Sequence, residues 1–122
     1  MLYYGCDWLV RPGTDYELMM RTAAALGCHL AQIDTRTDAA GCLYYVLALN
    51  VPDESVLADY IQHAGQQLGL TDWYPIEQAD YQRGDLFLDL EMLAGVPDLL
   101  QNIIQRLDEE GYHNQQTCPE LL

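Results

Sequence analysis

Residues 42–50 limit the fold more than any other part of the chain, because the run Cys-Leu-Tyr-Tyr-Val-Leu-Ala-Leu-Asn is almost continuously apolar. The run is far shorter than the ~20 residues of a membrane span. Short apolar runs of this kind are typical of a strand that is covered on both faces. We therefore expect a central strand, with a packed layer on each face or with one layer and a partner.

Two further strands precede this run along the chain. Residues 2–10 alternate, which is the pattern of a half-buried strand, and one face carries Leu2, Tyr4, Cys6, Trp8 and Val10. Residues 28–35 form the next strand, and the connection over 36–41 has the length of a hairpin loop.

Two helices complete the first part of the pattern. The spacing Thr14-x-x-Glu17 is that of a capping box, and it predicts a helix that ends at Leu26. Asp53 is a suitable N-cap for a second helix over residues 54–68. The order strand, helix, strand, strand, helix is the beginning of a ferredoxin-like split β-α-β arrangement.

Two segments compete to supply the fourth strand of that arrangement. In residues 73–81, Pro75 cannot donate a backbone hydrogen bond, so this segment is favoured only at an edge. In residues 85–93, leucines at 86, 88 and 90 alternate with acidic residues and Phe87. We therefore predict that 85–93 is the fourth main strand.

The clearest helical periodicity lies over residues 97–110, where apolar residues recur at i, i+3, i+4 and i+7. Gly111 is expected to end this helix, and the polar residues 112–122 are expected to be a loosely held tail. The expected buried stripe consists of Leu99, Leu100, Ile103, Ile104 and Leu107.

The sequence thus predicts one α+β domain over residues 1–111. The expected architecture is a ferredoxin-like β-α-β-β-α-β sandwich with an additional C-terminal helix, in which the helices pack against one face of the sheet.

The charge of the chain excludes several classes of function. Its 122 residues carry 19 acidic and 5 basic side chains, for a formal net charge of −14, and all the basic residues are arginines. Direct nucleic-acid binding requires clustered basic side chains to neutralise phosphates, and anionic membranes require the same. We therefore expect neither a nucleic acid nor a membrane as the direct partner.

Catalytic motifs are missing from the sequence. It contains no Gly-x-Ser-x-Gly, no glycine-rich phosphate loop and no His-Glu-x-x-His, and Ser55 is its only serine. The absence of lysine removes Schiff-base chemistry. We expect that the protein is not an enzyme, and the one alternative left open is acid/base chemistry by Asp89 and Glu91.

A metal ion, a cofactor or a disulfide is not expected either. Cys28, His29, His113 and Cys118 offer the ligand types of a tetrahedral zinc site, but their spacing matches no standard zinc motif. A chain of this length can build a core without such support, so Cys6, Cys28 and Cys42 are expected to be small core residues in strands.

The location in the cell is predicted from two further absences. The first residues lack the positively charged start and the cleavage site of a signal peptide, and no apolar run is long enough to span a membrane. These features favour a cytoplasmic protein.

The segment from Asp72 to Glu91 carries six carboxylates and one arginine, with aromatic residues between them. One interpretation is a solvated edge whose charges prevent aggregation. The other is a docking surface, on which carboxylates attract a basic partner and aromatic rings anchor it. The candidate partner-binding residues are Asp72, Trp73, Tyr74, Glu77, Asp80, Asp85, Phe87, Asp89 and Glu91.

The leading hypothesis is a small acidic binding protein that inhibits or neutralises a basic protein partner. Immunity proteins and inhibitors of nucleases or other nucleic-acid-handling complexes are of this kind, and a nucleic-acid mimic is a version that the sequence does not separate from them. The alternative is a homodimeric ferredoxin-like ligand-binding or sensor module, which the tyrosine-rich strands 2–10 and 42–50 suggest.

Overall fold

The computed structural model describes residues 1–84, 86–88 and 95–121. Within these residues the strands are β1 (Leu2–Leu9), β2 (His29–Thr37), β3 (Leu43–Val51), β4 (Tyr74–Pro75) and β5 (Leu86–Phe87). The α-helices are α1 (Tyr16–Ala25), α2 (Glu54–Tyr60), α3 (Gln66–Leu68), α4 (Gln78–Gln82) and α5 (Pro97–Thr117). A π-helical turn, Ile61–Gly65, joins α2 to α3, and a 3₁₀ turn, Pro119–Leu121, follows α5.

The strands form one sheet in the order β4-β1-β3-β2-β5, and every neighbouring pair is antiparallel. The apolar run supplies β3, which lies at the centre and pairs along its whole length with β1, from Leu2 opposite Val51 to Leu9 opposite Tyr44. Residues 45–49 of β3 are all buried. The predictions of a covered central strand and of an α+β fold are confirmed.

The main core lies on one face of the sheet, between the strands and the helices α1, α2, α3 and α5. Two side chains close this layer by donating hydrogen bonds to backbone carbonyls: Trp8 Nε1 to Leu68 O at 3.0 Å and the Tyr60 hydroxyl to Met19 O at 3.0 Å. The core residues include Cys6, Trp8, Val10, Tyr16, Met19, Met20, Ala23, Leu30, Tyr45, Leu47, Leu49, Val51, Tyr60, Ala64, Ile103 and Leu107.

Among the described residues, two clusters of buried side chains lie on the opposite face of the sheet, one toward each end. At one end Tyr81 of α4 packs on Ala31 and Ala48. At the other end Cys118 and the 3₁₀ turn pack on Leu9 and Cys42. The prediction that the helices lie on one face is therefore wrong for α4, because Tyr81 is buried against the second face.

The fourth strand along the chain is Tyr74–Pro75 and not the predicted segment 85–93, of which residues 86 and 87 form a fifth strand. The position beside β1 is occupied by Tyr74 and Pro75, where Gly5 is opposite Tyr74. Residues 86 and 87 pair instead with β2 at the other edge of the sheet, and residues 85 and 89–94 lie outside the described residues. A two-residue edge strand tolerates Pro75 because its missing N–H is not needed in a longer ladder.

The first helix begins one residue later than the capping box predicts. Asp15 is the N-cap, and its carboxylate accepts from Leu18 N at 3.0 Å. The Thr14 hydroxyl donates instead to Arg11 O at 2.9 Å. Asp53 caps α2 as predicted, and the helical run that it begins ends at Gly69, whose φ of 76° is a left-handed conformation that glycine adopts readily.

The C-terminal helix differs most from the prediction. It continues through Gly111 to Thr117, and Asn114 and Cys118 are buried, so this part of the predicted tail is packed on the domain. Ile103 and Leu107 are buried as expected, but Leu99, at the margin of the stripe, is 43% exposed. Cys118 forms a disulfide with Cys42, which overturns the expectation that Cys42 is an unpaired core residue. Cys6 and Cys28 are buried free thiols, as expected.

Candidate functional site

The predicted partner-binding residues do not lie on one strand. Asp72, Trp73, Tyr74, Glu77 and Asp80 follow the chain along β4 and into α4, next to β1. The backbone of Phe87 lies in β5, at the opposite edge of the sheet, where it is paired with Ala31. Asp85, Asp89 and Glu91 lie outside the described residues.

Trp73 belongs to the packing of the domain more than to its surface. Its ring is partly buried and packs edge-on against Tyr60, with ring centroids 5.9 Å apart. Its Nε1 donates to Leu70 O at 2.7 Å. A tryptophan held in this way fixes the loop before β4 and offers a partner little free ring surface.

Tyr74 is exposed and lies across the edge of β1. A Cβ atom at Gly5 would be 3.0 Å from Tyr74 Cε2, so only a glycine leaves room for the ring there. The Tyr74 hydroxyl donates to Asp7 Oδ1 at 2.7 Å. Burial, the hydrogen bond and the charge of Asp7 raise the pKa of Tyr74 to about 12.

Asp7, on β1, bonds both to Tyr74 of β4 and to Arg36 of β2. Its Oδ2 accepts from Arg36 Nη1 at 3.1 Å, while its Oδ1 accepts from Tyr74. Both partners of this ion pair are exposed, so it contributes little to stability. The pair spans β3, where Val46, the residue opposite Asp7, is buried.

Asp80 is engaged within its own short helix. Its carboxylate accepts from Glu77 N at 3.1 Å and from Arg83 Nη2 at 2.8 Å. This pairing partly neutralises the charge of Asp80. The exposed carboxylates of Asp72 and Glu77 therefore contribute more to the negative potential of this edge.

A shallow pocket of about 280 Å³ lies beside Asp7 and Arg36, and Thr37, Asp38 and Tyr44 complete its lining. The Tyr44 hydroxyl donates to Glu120 Oε2 at 3.4 Å. Partial burial and the negative charges of Glu120 and Asp38 raise the pKa of Tyr44. The pocket lies on the same face of the sheet as Asp7 and extends toward the 3₁₀ turn that contains Glu120.

Asp7, Arg36 and Tyr44 were missed as candidate site residues from the sequence. The signal for Asp7 was its position on the outward face of an alternating strand, where an isolated acid is unremarkable. Arg36 and Tyr44 lie directly opposite each other in β2 and β3. The strand register brings these residues together, and periodicity alone does not provide that register.

The histidines and cysteines considered for zinc do not remain available as one ligand set, because Cys118 is bonded to Cys42. Within the described residues, Cys42, Cys118 and Glu120 place their ligand atoms within 4.8 Å of one another. In the disulfide form the two sulfur atoms are not thiolates, which are the metal-binding form of cysteine.

No protein-family model, curated protein or solved structure matches this chain. In the part of the chain that the structure describes, no helix has the length and apolarity needed to cross a bilayer.

Proposed function

We propose that the protein binds a basic protein partner and inhibits or neutralises it. The binding surface is centred on Asp7, Asp72, Tyr74 and Glu77, which we call the Tyr74 edge. The proposal is supported above all by one observation: at the β4 edge of the sheet, exposed carboxylates surround an exposed tyrosine, in a chain of net charge −14.

The distribution of positive charge supports the same proposal. Among the described residues, four arginines form ion pairs with carboxylates: Arg21 with Glu17, Arg36 with Asp7, Arg83 with Asp80 and Arg106 with Glu110. Because these arginines are dispersed and locally compensated, the excess of carboxylates sets the potential around the molecule. A basic partner is attracted to such a surface, whereas nucleic acid is repelled.

The chemistry assigns separate roles to the charges and the ring. Carboxylates increase the rate of encounter with a positively charged protein, and the ring of Tyr74 supplies contact area that excludes water. An acidic protein can occupy the phosphate-binding groove of a nuclease in this way without catalytic groups of its own. An immunity protein and a nucleic-acid mimic both act through such a surface.

We further propose that the fold is ferredoxin-like and that the protein acts in the cytoplasm. The strand order supports the first point, because β3 lies between β1 and β2, and β1 lies between β3 and β4, as in two split β-α-β units. The short β4 and the added β5 are departures from a regular four-stranded sheet.

The proposal is tested by capturing partners from the native host with the tagged full chain and measuring the binding kinetics of the captured protein. We expect a basic protein whose association slows as salt rises, with a smaller effect on dissociation. Asp72→Lys should slow association, and Tyr74→Ala should mainly accelerate dissociation.

The matched control is Asp59→Lys, which makes the same change of charge on the exposed side of α2. Equal effects of Asp59→Lys and Asp72→Lys would place the binding surface away from the Tyr74 edge. A captured partner that is acidic, or binding that is insensitive to salt, would contradict the proposed function itself. Asp85→Lys and Asp89→Lys extend the same test to the rest of the predicted surface.

A further inference from the structure

The disulfide connects two distant parts of the chain at one end of the sheet. Cys42 immediately precedes β3, and Cys118 immediately follows α5, at a sequence separation of 76. Neither cysteine has measurable exposure. Leu9, Tyr44 and Leu121 pack with the bridge, so the segment that it holds, the 3₁₀ turn Pro119–Leu121, supplies part of its cover.

That turn is held on the sheet by few other contacts among the described residues. Leu121, which is partly buried, packs on the cluster of Leu9, Cys42 and Cys118. The hydrogen bond from Tyr44 to Glu120 is long, at 3.4 Å. Pro119 and Glu120 are exposed. The bridge is thus the strongest link between the turn and the sheet.

The helix before the turn has anchors of its own that do not involve the bridge. Asn114 accepts from Leu43 N at 2.8 Å and donates to Val10 O at 2.8 Å. Gly111 packs directly on the backbone of Arg11 and Pro12. Opening the bridge should therefore release residues 118–121 and leave α5 in place.

We propose that Cys42–Cys118 is a redox latch that holds the C-terminal turn over Leu9 and Tyr44. A dithiol reductant transfers two electrons and, with two protons, converts the bridge to two thiols, while the reductant becomes a disulfide. The freed turn then leaves the sheet and exposes Leu9 and Tyr44. The latch does not depend on the proposed partner.

The test treats the oxidised full chain with dithiothreitol under native conditions and then with iodoacetamide, and it locates the alkylated cysteines by mass spectrometry. We expect alkylation of Cys42 and Cys118 but not of the buried thiols of Cys6 and Cys28, which report on the rest of the fold. Hydrogen exchange of residues 118–121 should accelerate by roughly tenfold or more, and that of β1 should not.

Three outcomes would overturn the latch. Alkylation of all four cysteines at the same rate would mean that reduction unfolds the whole domain. Unchanged exchange of residues 118–121 after reduction would mean that the turn remains seated without the bridge. Failure of the bridge to react without denaturant would show a permanent clamp, and would likewise exclude a latch.

A variant that keeps the bridge provides an independent measurement. Leu121→Ala removes the packing of the turn on the Leu9 cluster. The turn should therefore be detached from the sheet more of the time, and the reductant should reduce the bridge faster. Gln115→Ala, an exposed substitution in α5, is the control and should leave the rate unchanged. Equal reduction rates for the two variants would contradict the role of the turn as a cover.

Discussion

Asn114 is the polar side chain on which the packing of α5 most depends. It is 1% exposed, and its amide bonds to the ends of two strands: it accepts from Leu43 N and donates to Val10 O and Leu43 O. Buried backbone groups that lose their partners are costly because water cannot replace them. One side chain thus joins β1, β3 and α5.

Asn114→Ala should lower the free energy of unfolding by about 2–4 kcal/mol, because Leu43 N and Val10 O lose buried partners. Denaturant unfolding followed by circular dichroism measures the loss. Gln115→Ala, at the neighbouring exposed position, should change stability by less than ~0.5 kcal/mol. A loss of similar size in both variants would mean that the amide hydrogen bonds are not the cause.

Tyr74 makes stability depend on pH in the alkaline range. Its pKa in the folded chain is about 12, above the ordinary value of ~10, because burial and Asp7 favour the neutral phenol. The folded state therefore binds this proton more tightly than the unfolded state. The resulting stabilisation is complete below about pH 10 and is lost as the pH rises toward 12.

The ultraviolet difference between the wild type and Tyr74→Phe isolates the titration of this phenol from the other tyrosines. We expect its midpoint well above that of free tyrosine, and Asp7→Asn should lower it by removing a negative charge. A midpoint near ~10 in the wild type would contradict the hydrogen bond to Asp7.

At the scale of the elements, α5 packs very closely on the loop that connects β1 to α1. A Cβ atom at Gly111 would lie 2.6 Å from Arg11 C and from Pro12 N, and backbone atoms cannot move aside cheaply. Glycine is unfavourable within helices, so its position here reflects the close approach and not helix formation.

Gly111→Ala reverses the sign that helix propensity predicts. In an exposed helix the substitution stabilises by about 1 kcal/mol, whereas here it should destabilise by about 1–3 kcal/mol because the helix must move off Arg11 and Pro12. Chemical denaturation measures the change in the free energy of unfolding. The control is Asn102→Ala, an exposed substitution on the same helix, which should stabilise slightly. A stabilised Gly111→Ala would show that the helix does not touch this loop.

For the molecule as a whole, the excess of negative charge causes self-repulsion. The net charge is −14, and the four ion pairs described above have largely exposed partners, so they offset little of it. Charges of one sign over a small surface destabilise the compact state.

Sodium chloride should therefore raise the Tm between about 0.01 and 0.1 M, where the screening length falls from ~30 to ~10 Å. Asp59→Lys should reduce this sensitivity because it reduces the magnitude of the negative net charge. Calorimetry at several salt concentrations measures both effects. A Tm that falls with added salt would mean that the ion pairs outweigh the repulsion.

What could be predicted from the sequence is what short-range patterns encode. The continuous apolar run predicted that β3 is central, and Asp53 predicted where α2 begins. The 3.6-residue period predicted that Ile103 and Leu107 are buried. These features depend on neighbours within a few residues, because side-chain period and capping are local properties.

Only the tertiary structure decided which segments meet. Local patterning favoured 85–93 as the fourth strand, yet Tyr74 and Pro75 pair with β1, where Gly5 leaves room for the Tyr74 ring and Asp7 accepts a hydrogen bond from its hydroxyl. The pairing of Cys42 with Cys118 likewise requires α5 to continue past Gly111. Such contacts join residues that are far apart in the chain. They are determined by packing and strand register, which local sequence patterns do not encode.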